Sequence, residues 1–367
     1  MKVSTILLNS PVCNFNCSYC ALCTDHEETR KHLPQAITNF DVIDRIIETE
    51  YSGKKYRDGS LDIHLWGGEP LFNQNFWPLI EHLNKTFKLH SVKFVTNGSL
   101  LYRYRKELDK YNFWKLNVSN DLMYQSSRGG QYLEDKEAGD YFFKLAKEGK
   151  IITIQTVVGH HSSHVYENLE YLKNLCDKHS FDYHNFDWFL MPLRDYSCSD
   201  KGSLLTLEDK PFVEQFSRFI TEALLDKNEH NIYLSTFLRL KREYNTMMSP
   251  NAEKYTPHCQ SFRENEATFV TLTGEKYFCT ENFERGIKGN NLVVPTEECL
   301  KCAFQGSCNG GCANHSNEFR KFNCSGWKAW HALMQRVLYS GFDEEQRRRY
   351  RDLHGTSNMY EFITSDR

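Results

Sequence analysis

Three cysteines stand close together near the start of the chain, in Cys13-Asn14-Phe15-Asn16-Cys17-Ser18-Tyr19-Cys20. Thiolates at this spacing can wrap one corner of a metal cluster, each binding a different iron. A [4Fe–4S] cluster has four irons, so three cysteines leave one iron open to a small chelating molecule. Zinc is the alternative, with Cys23 as fourth ligand, because Cys20-x2-Cys23 has zinc-like spacing. A structural zinc knuckle more often supplies a second ligand pair nearby, and none follows.

A second set lies far downstream. Cys259 and Cys279 flank Gly274, and then come Cys299-x2-Cys302-x5-Cys308-x3-Cys312 and Cys324. From Pro257 onward periodicity fades and Gly and Asn rise. So cysteine-rich a segment cannot build much apolar core, and metal must replace core as its cross-link.

The run Val3 to Leu8 is too short for a membrane span and lacks the features of a signal peptide. The chain is therefore expected to be cytoplasmic, with no membrane partner. In a reducing compartment its 13 cysteines argue for metal or redox chemistry over disulfides. A net charge of −3 offers no electrostatic reason to expect nucleic acid or a membrane surface. Its 25 Phe, 20 Tyr and 6 Trp argue against disorder.

The elements that must position these residues alternate along the first half. Candidate strands are Val3–Asn9, Asp62–Trp66, Val92–Asn97, Lys115–Ser119, Ile151–Val158 and Phe186–Met191. Helical patterns fall at Phe40–Glu50, Phe76–Phe87, Leu101–Tyr111, Asp135–Glu148, Val165–Lys178 and Glu208–Asp226. Alternation of this kind implies an α/β fold, a partial (β/α)6 barrel with its chemistry at the carboxyl ends of the strands. The expected division is a barrel over 1–228, a helical connector over 229–256, a C-terminal cysteine-rich iron–sulfur domain over 257–330 and a helical tail over 331–367. Arg347, Arg348 and Arg349 in that tail read as a solvated helix face before a basic patch.

Cys-x3-Cys-x2-Cys after a first strand, with the aromatic Tyr19 before its last cysteine, resembles the signature of the radical SAM superfamily. Trp66-Gly67-Gly68-Glu69-Pro70, just after the second strand, resembles the Gly-Gly-Glu-Pro element of these enzymes, whose backbone and Glu receive the ammonium of S-adenosylmethionine (SAM). Glycines permit close backbone approach, and a carboxylate pairs a cation. The resemblance implies that the amino and carboxylate groups of SAM chelate the open iron. One electron from the cluster then breaks a sulfur–carbon bond, giving methionine and a 5′-deoxyadenosyl radical that abstracts hydrogen from substrate.

Thr96-Asn97-Gly98 ends the third strand, where relatives commonly carry such an element near the SAM pocket. Ser119 ends the fourth strand and Arg128 follows in the next loop; similar positions in relatives bind the SAM carboxylate, and Arg offers a forked donor for it. The plainer readings are a strand-end turn for Ser119 and a solvated loop charge for Arg128. Val157 and Met191 fit either adenine packing or ordinary core.

The seven downstream cysteines resemble the SPASM extension of many radical SAM enzymes. That resemblance implies two auxiliary [4Fe–4S] clusters, with Cys299, Cys302, Cys308 and Cys324 on the distal one and Cys259, Cys279 and Cys312 on the nearer one. Asn265 stands where some relatives place a fourth thiolate, which leaves an open iron or a non-cysteine ligand such as His258. Cys176 reads as a small buried apolar residue, Cys198 falls in a loop, and Cys23 matches neither set.

The layout is similar to anaerobic sulfatase-maturating enzymes and peptide maturases. Sulfatase maturases carry an Asp base directly after the Cys of Gly-x4-Cys; here Thr280 intervenes, so Glu281 is the candidate catalytic base and that activity is not favoured. A radical motif starting at residue 13 leaves no room upstream for a leader-peptide-binding domain, so a separate recognition protein or another kind of substrate is expected. The expected function is modification of a peptide or protein side chain, with an electron donor such as flavodoxin or ferredoxin. The alternative is radical rearrangement of a small metabolite or a modified nucleobase, as in phage-type thymidine hypermodification in DNA. A third reading, an electron-transfer protein, is opposed by the SAM-site elements.

Overall fold

Six strands cross a sheet in sequence order, each parallel to the next: β1 (Thr5–Leu7), β2 (Leu61–Trp66), β3 (Leu89–Thr96), β4 (Trp114–Ser119), β5 (Ile151–Val158) and β6 (Asp187–Pro192). This is a mostly parallel α/β sheet of the partial-barrel kind. The computed structural model describes residues 5–8, 12–17, 19–20, 39–51, 58–159, 162–192, 209–226, 229–248, 269–277, 297 and 317–354, the side chains of 192, 317–328 and 354 excepted.

Strand periodicity decides which residues serve the core and which serve the other face. Leu61, Ile63 and Leu65 of β2 are buried, while Asp62, His64 and Trp66 between them are only partly so. In β4 the buried set is Trp114, Leu116 and Val118, which leaves Asn117 and Ser119 on the opposite face.

The helices in chain order are α1 (Asp41–Thr49), α2 (Phe76–Phe87), α3 (Arg105–Leu108), α4 (Lys136–Lys147), α5 (Val165–Lys178), α6 (Lys210–Leu225), α7 (Leu234–Met247), α8 (Asn317–Ser340) and α9 (Glu344–His354). Helix α2 buries Phe76, Leu79, Ile80 and Leu83, a run at helical spacing that fixes its inward face. Asp135 starts α4 by accepting the Ala138 N–H at 2.9 Å. No helix among the described residues is long and apolar enough to cross a membrane.

Trp114 anchors the core under α2. It is fully buried, packs on Phe76, Phe94 and Phe113, and donates its indole N–H to Leu108 O at 2.9 Å. Trp114→Ala is expected to cost about 3–5 kcal/mol, the usual range for emptying a large aromatic site. Chemical denaturation checks this, and a loss under about 1 kcal/mol would show that the cluster collapses around the gap.

Two departures from the sequence pattern matter. Only Arg105–Leu108 of the expected helix Leu101–Tyr111 is α-helical, preceded by turns at residues 99–104. The strands β7 (Phe269–Thr271) and β8 (Lys276–Tyr277) extend the sheet beyond β1: Thr5, Ile6 and Leu7 pair in parallel with Phe269, Val270 and Thr271, and β8 folds back on β7. Gly274 turns that hairpin with φ +85°, a conformation suited to glycine.

The expected boundary between 330 and 331 lies within α8. Trp330 lies 4.1 Å from Phe216 and 5.9 Å from Phe212, ring to ring, so α8 packs against α6. The same helix meets α7 through a buried polar group: Glu243 accepts from Gln335 at 3.0 Å and lies 2.7 Å from His331 Nδ1. Near the C-terminus, Arg349 donates to Met248 O and Arg347 to Ser340 O.

Candidate functional site

The strand ends of β1 to β4 converge on the loop that carries Cys13, Cys17 and Cys20. The Glu69 N–H donates to Val12 O at 2.8 Å, joining the Gly-Gly-Glu-Pro turn to the start of the loop. Asn97 donates to Asn14 Oδ1 at 2.9 Å and points the same amide at Cys13 Sγ, 3.8 Å away. Asn14 in turn donates to Ser99 Oγ at 2.9 Å. The Cys17 thiol approaches Arg128 O at 3.8 Å, and Cys20 N–H donates to Cys17 O at 3.1 Å. The cysteine loop is thus tied to the ends of β2 and β3 and to the segment after β4, through the Glu69 and Arg128 backbone and the Asn97 side chain.

Cys13, Cys17 and Cys20 are reduced thiols, partly or wholly buried. Burial pushes the Cys13 thiol up to about 11, against a backbone N–H of Phe15 that favours the thiolate. Burial likewise raises Cys17, and the Arg128 charge opposes it. Metal binding here must therefore displace protons, which makes loading pH-dependent. No three His, Cys, Asp or Glu side chains among the described residues converge as ligands of one metal ion do. The donor set itself suits iron–sulfur ligation: three thiols on one clamped loop, with N–H groups turned toward Cys13 sulfur.

Glu69 has a different first task from the one expected. It is fully buried, and its carboxylate accepts from Leu71 N at 3.1 Å, Thr96 Oγ1 at 2.8 Å and Asn97 N at 2.7 Å. One carboxylate therefore joins the end of β2 to the end of β3. Burial pushes the Glu69 carboxyl up to about 7, while these three donors favour its charged form. Gly67 and Gly68 lead into this turn, and Pro70 opens the short 3-10 helix Pro70–Phe72 that Glu69 caps.

Arg128 is not a solvated loop charge. Its side chain is 11% exposed, its guanidinium lies 3.5 Å from Asp121 Oδ1 and it sits 5.8 Å from the Tyr19 ring centre. Burial works against the Arg128 charge, but Asp121, then Tyr19 and Cys17, raise its pKa above the ordinary value. Its Nε is buried with no hydrogen-bond partner, so one donor remains for a ligand oxygen. The Ser119 hydroxyl, at the end of β4, donates to Gln155 Oε1 at 3.4 Å.

Sequence reasoning missed Asp121. It is fully buried and accepts from Tyr19 Oη, Arg128 and the Val157 N–H. The only local signal is an acid two residues beyond the strand-end Ser119. Asn14 was also missed, although it stands inside the cysteine motif.

Two glycines permit close approaches around the site. Gly98 has φ +80°, and a Cβ there would lie 2.0 Å from Tyr132 Oη. At Gly129 the backbone would accept alanine, but its Cβ would come within 2.6 Å of the Phe15 ring. Gly129→Ala is therefore expected to displace Phe15, between Cys13 and Cys17, and to lower iron at this loop while the melting temperature changes little. Iron per chain set against thermal unfolding is the check; unchanged iron would mean that Phe15 moves without disturbing its neighbours.

Cys23, Cys198, His258, Cys259, Asn265, Cys279, Glu281, Cys299, Cys302, Cys308 and Cys312 fall outside the described residues, and Cys324 belongs to α8 without a described side chain. Cys176 is buried in α5, as expected for a small apolar residue.

Residues 9–125 match the family profile of the Radical SAM superfamily. It is 28% identical over 171 residues to the GTP 3′,8-cyclase of Staphylococcus epidermidis (strain ATCC 35984), covering 44% of this chain and 48% of that protein. The GTP 3′,8-cyclase of Staphylococcus aureus (strain Mu3) is 30% identical over 176 residues, covering 46% and 48%. The chain thus spans about half the length of the curated relatives it matches. Among solved structures, anSMEcpe with bound AdoMet and a Cp18Cys peptide superposes with a TM-score of 0.59 at 18% identity, over 96% of this chain and 100% of that one. Streptococcus suis SuiB bound to its precursor peptide SuiA superposes with a TM-score of 0.50 at 16% identity, over 84% and 72%. At these identities the likeness establishes the fold.

Proposed function

We propose that the chain binds SAM at a [4Fe–4S] cluster held by Cys13, Cys17 and Cys20, cleaves it reductively, and uses the product radical to modify a peptide or protein side chain. The observation that carries this is the clamped thiol loop, with Asn97 aimed at Cys13 and the Arg128 cation beside Cys17. The cluster, when bound, supplies the electron that breaks the sulfur–carbon bond. The residues of the chain do the rest. Gly67 and Gly68 offer backbone close to the SAM ammonium, and Glu69 fixes that turn. Arg128 and Ser119 meet the SAM carboxylate, with the unpartnered Nε of Arg128 as the available donor. Tyr19, Val157 and Met191 border the nucleoside.

Cys259, Cys279, Cys299, Cys302, Cys308, Cys312 and Cys324 hold two auxiliary clusters in this reading, within a cytoplasmic enzyme reduced by flavodoxin or ferredoxin. Glu281 is the candidate base. The peptide assignment is supported by the superposition along nearly the whole chain with a peptide-bound radical SAM structure. A nucleotide substrate is the second reading, because the curated relatives are GTP cyclases, although they match only about half of the chain.

The experiment is deuterium transfer. Reconstituted enzyme, SAM and dithionite are incubated either with a uniformly deuterated protein extract or with ribose-deuterated GTP. Deuterium in 5′-deoxyadenosine from the extract alone supports the peptide reading. Transfer from GTP alone overturns it in favour of the nucleotide.

A further inference from the structure

Asp121 stands at the end of β4 with no exposed surface, where an acid is costly unless its charge is answered. Three donors answer it from three parts of the fold. Tyr19 Oη comes from the cysteine loop, the Val157 N–H from β5 at 3.0 Å, and the Arg128 guanidinium at 3.5 Å from the segment after β4. The Asp121 backbone is held as well, its N–H donating to Gln125 Oε1 at 2.9 Å and its carbonyl receiving Asn168 Nδ2 at 3.4 Å. Such an acid cannot swing away from its partners.

Both side-chain partners lie against the cysteine loop. Tyr19 sits between Cys17 and Cys20 in sequence, and the Arg128 carbonyl receives the Cys17 thiol. Arg128 brings a positive charge to this spot and Asp121 cancels it. Buried charges at short range are weakly screened, so the balance is felt by whatever the thiolates hold. A cluster gains one negative charge on reduction, and net charge nearby is among the factors that set its potential. A cation beside Cys17 favours the reduced form, and an anion opposes it.

We propose that Asp121 is a positioning residue that holds Tyr19 and Arg128 against the cysteine loop and, by neutralising Arg128, keeps the potential of the cluster on Cys13, Cys17 and Cys20 low. This rests on the proposed cluster assignment. It goes beyond that assignment because it gives a function to a residue that the assignment leaves without one. A low potential makes the reduced cluster a stronger electron donor for breaking the sulfur–carbon bond.

The test is a redox titration of the reconstituted holoenzyme with dithionite, followed by electron paramagnetic resonance on the signal that SAM perturbs. Asp121→Asn removes the negative charge and is expected to raise the midpoint potential at unchanged iron content. Arg128→Gln removes the positive charge and is expected to lower it. The double variant restores neutrality and is expected to return near wild type. Tyr19→Phe removes the hydrogen bond without changing charge, so its potential is expected to stay near wild type.

A potential that does not move in Asp121→Asn overturns the inference, as does an equal shift in Tyr19→Phe, which would mean loop rearrangement. If Asp121→Asn fails to load iron, Arg128→Gln and the double variant decide between the same outcomes. A wild type with no SAM-perturbed signal at all would instead sink the cluster assignment, which separates the two failures.

Discussion

Cys17→Ala is expected to reduce 5′-deoxyadenosine formation to background while leaving the fold intact. Cys17 is the most enclosed of the three motif cysteines, with 9% of its surface exposed, and its sulfur faces the Arg128 carbonyl. Removing it leaves two thiolates where three irons need one each, so the cluster loses its hold in the loop. The structural cost is one buried sulfur, about 1 kcal/mol, well within the stability of a domain. Iron should fall from about twelve per chain to about eight if the downstream cysteines hold two further clusters. Circular dichroism and thermal unfolding establish that the variant folds. Anaerobic incubation with dithionite and SAM then gives the answer: product from Cys17→Ala equal to wild type would end the cluster assignment for this loop. Product loss with wild-type iron at about four would keep the catalytic cluster and remove the auxiliary pair.

Strong periodicity made most of the fold legible. Ile151–Val158, Phe76–Phe87 and Val165–Lys178 stand where their apolar patterns place them, because each buries one regular face. β7 and β8 were invisible for the opposite reason. Strands of three and two residues contain too little alternation to be read, and their identity comes from pairing, β7 with β1, far away in sequence, and β8 with β7. The shortened α3 has a local cause, since the positive φ at Gly98 turns the chain and residues 99–104 continue in turns.

In the site, spacing identified the thiols, and the family resemblance pointed to Asn97, whose amide does reach the loop. It did not identify Asp121. That role depends on Tyr19, which lies 102 positions away, and on Arg128, seven positions on. Nor could it divide the work of Glu69 between ligand and fold, because the donors that bind this acid belong partly to the next strand end. The visible elements were periodic or motif-bound; the hidden ones were long-range answers to a buried charge.

Glu69 carries the second large expected effect. Alanine there would leave the Leu71 and Asn97 N–H groups and the Thr96 hydroxyl without their acceptor, in a place with almost no exposed surface. Each buried donor left unmet costs about 1–3 kcal/mol, and water entering the vacated space offsets part of it. Glu69→Ala is therefore expected to lose about 3–5 kcal/mol, a large share of the stability of an ordinary domain. Glu69→Gln keeps the volume but removes the charge, and it isolates the pH dependence. The carboxyl, ordinarily near 4.5, is pushed up to about 7 by burial. Between these values the folded chain retains a proton that the unfolded chain has released, so wild-type stability falls as pH rises through that window. The fall is about 3 kcal/mol at most, at about 1.4 kcal/mol for each pKa unit. Glu69→Gln lacks this titration, so its deficit relative to wild type should be largest near pH 4.5, narrow up to about pH 7 and then level off. Urea unfolding of the metal-free proteins at pH 5 and pH 8 measures the gap. A gap that stays constant would mean that the three donors outweigh burial and keep the Glu69 carboxylate charged throughout.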